Sequence, residues 1–195
     1  MDFLEILERR FACKGFLDKK IKEDDFNYIL EAARLSPSSF GMEPWRFLVI
    51  TNQETKERLR PLCWNQKQIT TCSHLVVISA DIDAVQDDEY IKKMFARRGL
   101  SDEATKAYIQ KYKSFLQTQD IACWTQKQCY IAAANMMDAA TAKGIDSCPI
   151  EGFEKERVEK FLDLKNVALL IAFGYCAMQR PPKKRLPLQE IVTFQ

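Results

Sequence analysis

Apolar and polar positions along this chain switch repeatedly between a helical and a strand period. Phe3, Ile6, Leu7 and Arg10 recur at helical spacing and predict a short helix over residues 2–12. Phe26, Ile29, Leu30 and Ala33 repeat the pattern over 23–35. Pro37 ends that helix, because the residue before a proline is pushed out of the α region. WRFLVIT, residues 45–51, predicts a strand, and a charged helix follows at 53–62. HLVVISA, residues 74–80, is a continuous apolar run, the pattern of a strand buried on both faces. Residues 87–118 predict one or two polar helices. Residues 120–143 predict a long helix, rich in Ala and Met and closed by Gly144 as a C-cap. A helix apolar over so much of its circumference belongs in a core or a subunit interface. A short amphipathic helix at 153–164 and a second buried strand, NVALLIAFGYC at 166–176, follow. The tail is basic, interrupted by prolines, and ends in the strand-like EIVTF.

Helices and strands interleave with no internal repeat and no low-complexity linker. This predicts one α+β domain over residues 1–195, a small sheet under helices, with a polar helical excursion at about 85–118. Composition leaves that picture intact. Hydrophobic residues are 47% and charged residues 29%, as in an ordinary globular chain. A net charge of +2 is too mild to draw nucleic acid or a membrane surface. The seven cysteines form no CxxC pair and His74 is the only histidine, so no metal site is expected. The opening MDFLEILERR carries Asp2, Glu5 and Glu8 and reads as neither a signal nor a transit peptide. The expectation is therefore a cytoplasmic protein with reduced thiols and no membrane partner.

Candidate chemistry is thin in the hydrolytic sense. His74 opens an apolar strand and reads as structural, and neither a strand-following GxGxxG nor a P-loop is present. A bound cofactor could supply the chemistry instead. Four stretches fit that idea, each with a bland alternative. RRFACKGF (9–16) sets Arg10 and Lys14 one helical turn apart, on one face, unless it is simply a solvated basic face. SPSSFGMEPW (36–45) offers backbone donors and small polar side chains, or is an ordinary helix-to-strand loop. CPIEGF (148–153) reads as a loop in which Gly152 permits unusual backbone angles. PPKKRLP (181–187) clusters cations suited to a phosphate, or is a solvated tail.

Taken in this order, the four stretches closely resemble the FMN-dependent nitroreductases, in particular the bacterial oxygen-insensitive NAD(P)H nitroreductases. SPSS…PW ahead of a strand and KGIDSCPIEGF after a long helix carry the resemblance. It implies a nitroreductase-like α+β fold with a small mixed sheet flanked by helices. It also implies an intertwined homodimer with long interface helices, FMN between the subunits, and a C-terminal arm over about 181–195 that reaches the partner. The implied reaction is ping-pong: NADPH or NADH reduces the flavin at N5, and a small aromatic acceptor, such as a nitro compound or a quinone, is reduced in turn.

The implied cofactor-binding residues are Arg10, Lys14, Pro37, Ser38, Ser39, Asn65, Pro149, Glu151, Gly152, Lys183 and Arg185. Lys183 and Arg185 would contact the phosphate, Arg10 the phosphate or the adjoining ribityl chain, and Lys14 the N1–C2 carbonyl edge of the ring. Pro37, Ser38 and Ser39 would approach from the other subunit, and Asn65 would bond the pyrimidine side. Glu151 and Gly152 would approach N5 and O4, with Lys14 and Glu151 tuning and positioning the flavin rather than acting as catalytic groups. The sequence departs from its relatives at Phe11-Ala12, Phe40-Gly41 and Gln68. Rival readings are a quinone, enone or free-flavin reductase on the same scaffold, a non-catalytic flavin-binding protein, and a helical interaction domain with a basic tail.

Overall fold

The computed structural model describes residues 2–195. Among them, helices α1 (Phe3–Arg9) and α2 (Glu23–Arg34) precede strand β1 (Trp45–Ile50). Helices α3 (Gln53–Leu59) and α4 (Lys67–Thr71) lead to β2 (His74–Ala80). Then come α5 (Asp88–Ala96), α6 (Asp102–Leu116) and the long α7 (Ile121–Ala142). The chain closes with β3 (Asp146–Ile150), α8 (Lys155–Leu162) and β4 (Val167–Gly174). The class is α+β, as the interleaved pattern predicts.

The four strands lie in the order β1-β2-β4-β3, and every neighbouring pair is antiparallel. The expected mixed sheet is therefore corrected within the chain: its parallel pairing reduces to an isolated bridge between Ala12 and Ser147. The connections β1–β2 and β3–β4 return the chain to the end of the sheet it left, which makes adjacent strands antiparallel. Both faces of the two central strands are covered. Val76, Ile78, Ile171 and Phe173 pack with Phe26 and Ile29 of α2 and Met136 of α7. Leu75, Val77, Leu170 and Ala172 pack with Leu59, Ile69, Val158 and Phe16. This double burial is why both strands read as unbroken apolar runs rather than as alternation. His74 belongs to the same architecture: its ring stacks on Phe26 at 4.0 Å, and burial lowers its imidazole pKa.

Only the second half of 148–153, Glu151–Phe153, forms the loop that the sequence suggests. Cys148, Pro149 and Ile150 are the second half of β3, paired with Ala172, Ile171 and Leu170. Pro149 is tolerated because β3 is the sheet edge, where one side of the strand needs no ladder donor. The predicted helix 2–12 ends at Arg9 and Arg10 is already extended, so Arg10 and Lys14 do not share a helical face. Two further boundaries move for physical reasons. The predicted helix 53–62 stops at Leu59 and tightens into a 3₁₀ turn over Arg60–Cys63, where Pro61 offers no N–H. The tail segment EIVTF is not a strand: only a 3₁₀ turn at Leu188–Glu190 forms, and the segment pairs with none of the four strands.

The expectation of reduced thiols is also overturned at one position, because Cys13 and Cys176 form a disulfide across 163 residues. The remaining five cysteines are free, and four of them are buried. Buried Lys56 donates to the Cys72 carbonyl at 2.7 Å, capping the end of α4, where a cation opposes the helix dipole. Among the described residues no helix is long and apolar enough to cross a membrane.

The polar excursion has its own small core, in which Ile91, Phe95, Tyr112 and Leu116 surround Met42 and Trp124. It is two helices, with Gly99 at φ +64 in the turn between them.

Candidate functional site

The site is assembled where the two ends of the chain meet the edge of β3. After α1, the Cys13 amide donates to the Ser147 carbonyl at 3.1 Å, laying the N-terminal segment along β3. Leu17 then donates to Tyr175 at 2.8 Å, and Ala177 to Gly15 at 3.0 Å, so the same segment is zipped to the end of β4. Gly174 makes room for this: a Cβ there would lie 2.8 Å from Phe16 Cδ1. Asp146, largely buried, fixes the start of the tail. Its carboxylate accepts from the Cys176 amide at 3.0 Å and from the Arg180 guanidinium at 2.8 Å. The tail then turns back over α1, and Lys183 Nζ donates to the Arg10 carbonyl.

The result is a groove of about 880 Å³ lined by Arg10, Arg180, Lys183 and Arg185 among others. Burial holds the Lys183 ammonium below its ordinary pKa, and the charges of Arg10 and Arg185 push the same way. Asp138 of α7 lies near enough to oppose them, and its own carboxyl is raised by burial. Crowded cations of this kind call for a multivalent anion.

A second cluster lies on the other side of β3. Lys14 Nζ sits 3.3 Å from Cys148 Sγ, whose thiol is raised by burial and pulled down by that lysine. Gln68, also buried, lies 3.8 Å from the same sulfur and donates to Gln66 Oε1 at 2.7 Å. Gln66 in turn donates to the Gly152 carbonyl at 2.7 Å. Trp64 and Asn65 adopt left-handed backbone angles, φ 52 and 54, in the turn before α4. The turn sets the Trp64 ring against Gly152, where a Cβ would come within 2.6 Å of it. Asn65 itself is exposed, and its carbonyl accepts from Arg60 at 3.1 Å. Glu151 accepts from the Tyr130 hydroxyl of α7 at 2.7 Å.

The loop 36–43 is held by different parts of the fold. Met42 is fully buried in the excursion's core, while Trp45 and Phe47 pack into the core beneath the sheet. Phe40, Gly41 and Glu43 all have positive φ, an arrangement that costs energy for the two non-glycine residues. Arg98 donates to the Phe40 carbonyl at 2.6 Å, Arg97 pairs with Glu43 at 2.9 Å, and Tyr90 donates to the Met42 carbonyl at 2.8 Å. The excursion is thus the brace of this turn. Ser38 Oγ accepts from the Glu43 amide, and the Ser39 amide donates to Gln128 of α7, both at 2.9 Å.

Of the residues singled out from the sequence, Arg10, Lys183 and Arg185 share one groove, and Lys14, Pro149, Glu151 and Gly152 gather around β3. Within the described residues of one chain, no hydrogen bond or ion pair joins Pro37, Ser38 or Ser39 to either group. Sequence reasoning missed Gln66, Tyr130 and Asp146, and marked Gln68 only as a departure from the relatives. Their partners lie between 2 and 86 positions away along the chain, and glutamine or tyrosine in a polar stretch carries no periodic signal that marks it.

The model of the Nitroreductase family matches residues 7–175. A Haemophilus influenzae protein carrying the name "Putative NAD(P)H nitroreductase" is 41% identical, over 98% of this chain and 95% of its own. The crystal structure of a nitroreductase family protein from Streptococcus pneumoniae superposes with a TM-score of 0.85 at 28% identity, covering all of both chains. Another, from Exiguobacterium sibiricum and described as a nitroreductase in complex with FMN, gives 0.86 at 27% identity, over all of this chain and 98% of its own. The chain belongs to the nitroreductase family.

Proposed function

We propose that the protein is an FMN-dependent NAD(P)H oxidoreductase that reduces nitroaromatic compounds, and quinones, in two half-reactions. The observation that carries this reading is the groove where Lys183 reaches Arg10 across 173 residues and Arg185 joins them. Clustered cations, with burial and its cationic neighbours lowering the pKa of Lys183, fit a phosphate dianion, which supplies the charge they lack. FMN carries that phosphate at one end of an isoalloxazine ring. The solved FMN complex of a relative across its whole length supports the choice. When bound, the flavin takes hydride from NAD(P)H and passes reducing equivalents to the acceptor.

The chain's own residues bind and orient. Arg10, Lys183 and Arg185 hold the phosphate, Gly152 keeps the turn after β3 thin enough for close approach, and Lys14 places a cation near the ring. Ser38, Ser39 and Pro37 serve a second copy of the chain, so the working unit is a homodimer.

Anaerobic mixing of the yellow protein with NADH and with NADPH tests the reading. Flavin absorbance is expected to bleach with at least one nucleotide and to return when a nitroaromatic is added. Yellow protein that neither nucleotide bleaches would leave only a flavin-binding role.

Lys14 makes no ion pair among the described residues, and its nearest polar neighbour is the Cys148 sulfur. A cation there favours the reduced, more negative flavin. Solvent and salt cut the attraction to about 1–2 kcal/mol. At about 30 mV per 1.4 kcal/mol for a two-electron couple, Lys14→Ala should lower the midpoint by ~20–40 mV. Redox titration at fixed ionic strength reads this directly, and an unmoved or raised midpoint would mean that Lys14 does not act on the ring.

A further inference from the structure

We propose that Gln66 and Tyr130 are positioning residues that hold the Glu151–Gly152 turn in its working geometry, an inference that rests on the flavin reading above. The turn leaves the edge strand β3 and is closed by the Phe153 amide donating to the Glu151 carbonyl at 3.0 Å. Glu151 is exposed and Gly152 is half-buried. An exposed two-residue turn contributes little to folding stability, and its hydrogen bonds compete with water. Three side chains from two parts of the fold, the turn before α4 and α7, nevertheless converge on it.

The first is Gln66. Its Nε2 donates to the Gly152 carbonyl at 2.7 Å and to the Cys63 carbonyl at 3.1 Å, while its Oε1 accepts from Gln68 at 2.7 Å. Both ends of the amide are used, so its orientation is set by the network rather than free to flip. Gln68 is buried and locks the arrangement from behind, its amide 3.8 Å from Cys148, which touches Lys14. Gly152 is thereby connected through three side chains to the cation proposed to tune the flavin.

The second is Tyr130. It reaches from α7 to Glu151 Oε1 at 2.7 Å and stands 3.4 Å from the Ala168 carbonyl of β4. Burial, and then the Glu151 carboxylate itself, push the phenol's pKa up. The hydroxyl therefore remains a donor throughout the physiological range. The third is the Trp64 ring, pressed on Gly152 closely enough to exclude any side chain there.

A clamp by three side chains on an exposed turn makes sense if the turn's backbone must stay put while ligands come and go. Preorganised donors and close approaches act only when their geometry is kept, and small misplacements of positioning groups carry large rate costs. Gln66 and Tyr130 act through the turn and are not themselves catalytic.

The test uses the FMN-loaded full chain and two near-isosteric variants, Gln66→Met and Tyr130→Phe, with Gln66→Asn as a shorter amide. Three quantities are measured: the first-order rate of flavin reduction by NADPH or NADH in anaerobic stopped flow, the FMN dissociation constant, and the urea midpoint. Each of the two main variants is expected to slow reduction by about ten- to a hundredfold. FMN affinity should stay within about threefold and the urea midpoint should be unchanged. Gln66→Asn should recover part of the rate that Gln66→Met loses. The double variant should lose less than the product of the single losses, because both side chains serve one turn.

Rates within twofold of wild type in both single variants would overturn the proposal. So would a loss of rate that only tracks loss of FMN or of stability, which is what a purely structural role produces. FMN-loaded wild-type protein that no nucleotide reduces removes the oxidoreductase reading beneath it; normal wild-type reduction with unaffected variants removes this inference alone.

Discussion

Replacing Lys183 and Arg185 together by alanine should strip FMN from the purified protein at working concentrations. Each residue offers a charge-assisted contact to a phosphate, worth about 1.5–3 kcal/mol. That is about ten- to a hundredfold in dissociation constant for each single variant. The two share a ligand and a charge environment, so the double variant need not equal the sum. Lys183 is already held by the Arg10 carbonyl, and Arg185 by the Lys184 carbonyl at 2.6 Å, so neither side chain has to be ordered from scratch on binding. Equilibrium titration of apoprotein with FMN measures the effect. Lys160→Ala, at an exposed lysine of α8 that does not line the groove, removes one charge and serves as the control for net charge. Unchanged affinity in the double variant would remove the tail from the binding site.

The second large effect concerns assembly. One chain alone leaves Phe3 and Leu4 of α1, Ile131 of α7, and Leu188, Ile191 and Phe194 of the tail in solvent, with Phe194 92% exposed. A monomer seldom exposes so much apolar surface without a partner for it. Sedimentation should therefore show a species near twice 22.6 kDa at micromolar concentration. Ile131→Asp would force a carboxylate into that contact. Burying an unpaired charge costs several kcal/mol, so dimer affinity should fall by a hundredfold or more. FMN should be lost in parallel, since Ser38 and Ser39 would no longer reach a site built on the other chain. An FMN-loaded wild-type monomer, or an Ile131→Asp dimer as tight as wild type, would contradict the two-chain site.

The periodic elements were legible in the sequence because their signals are local. Strand β2 lies where HLVVISA predicts it, and α7 falls within one residue of each predicted end. The start of α7 is fixed by Asp120, whose side chain accepts from the Cys123 amide, and one apolar face, with Cys129, Ala132, Ala133, Met136 and Ala140, packs on α2 and the sheet. Strand β3 was not legible. A proline in a five-residue segment argues for a loop until the segment is known to lie at a sheet edge, and edge position is a property of topology. The Cys13–Cys176 disulfide was hidden for the same reason, since its two sulfurs meet only after β3 and β4 have paired.

By itself the sequence determined the class of the fold, the two buried central strands, the long apolar helix and the order of the four stretches that mark the family. Each follows from residue type and short-range spacing, which act before any distant part of the chain arrives. Only the tertiary structure decided that Lys183 lies on Arg10, that Gln66 and Tyr130 grip one exposed turn, and that Arg97 and Arg98 brace the loop after α2. These contacts join residues 21 to 173 positions apart. Their energy depends on hydrogen-bond geometry within a few tenths of an ångström, and no local pattern of side chains encodes that geometry.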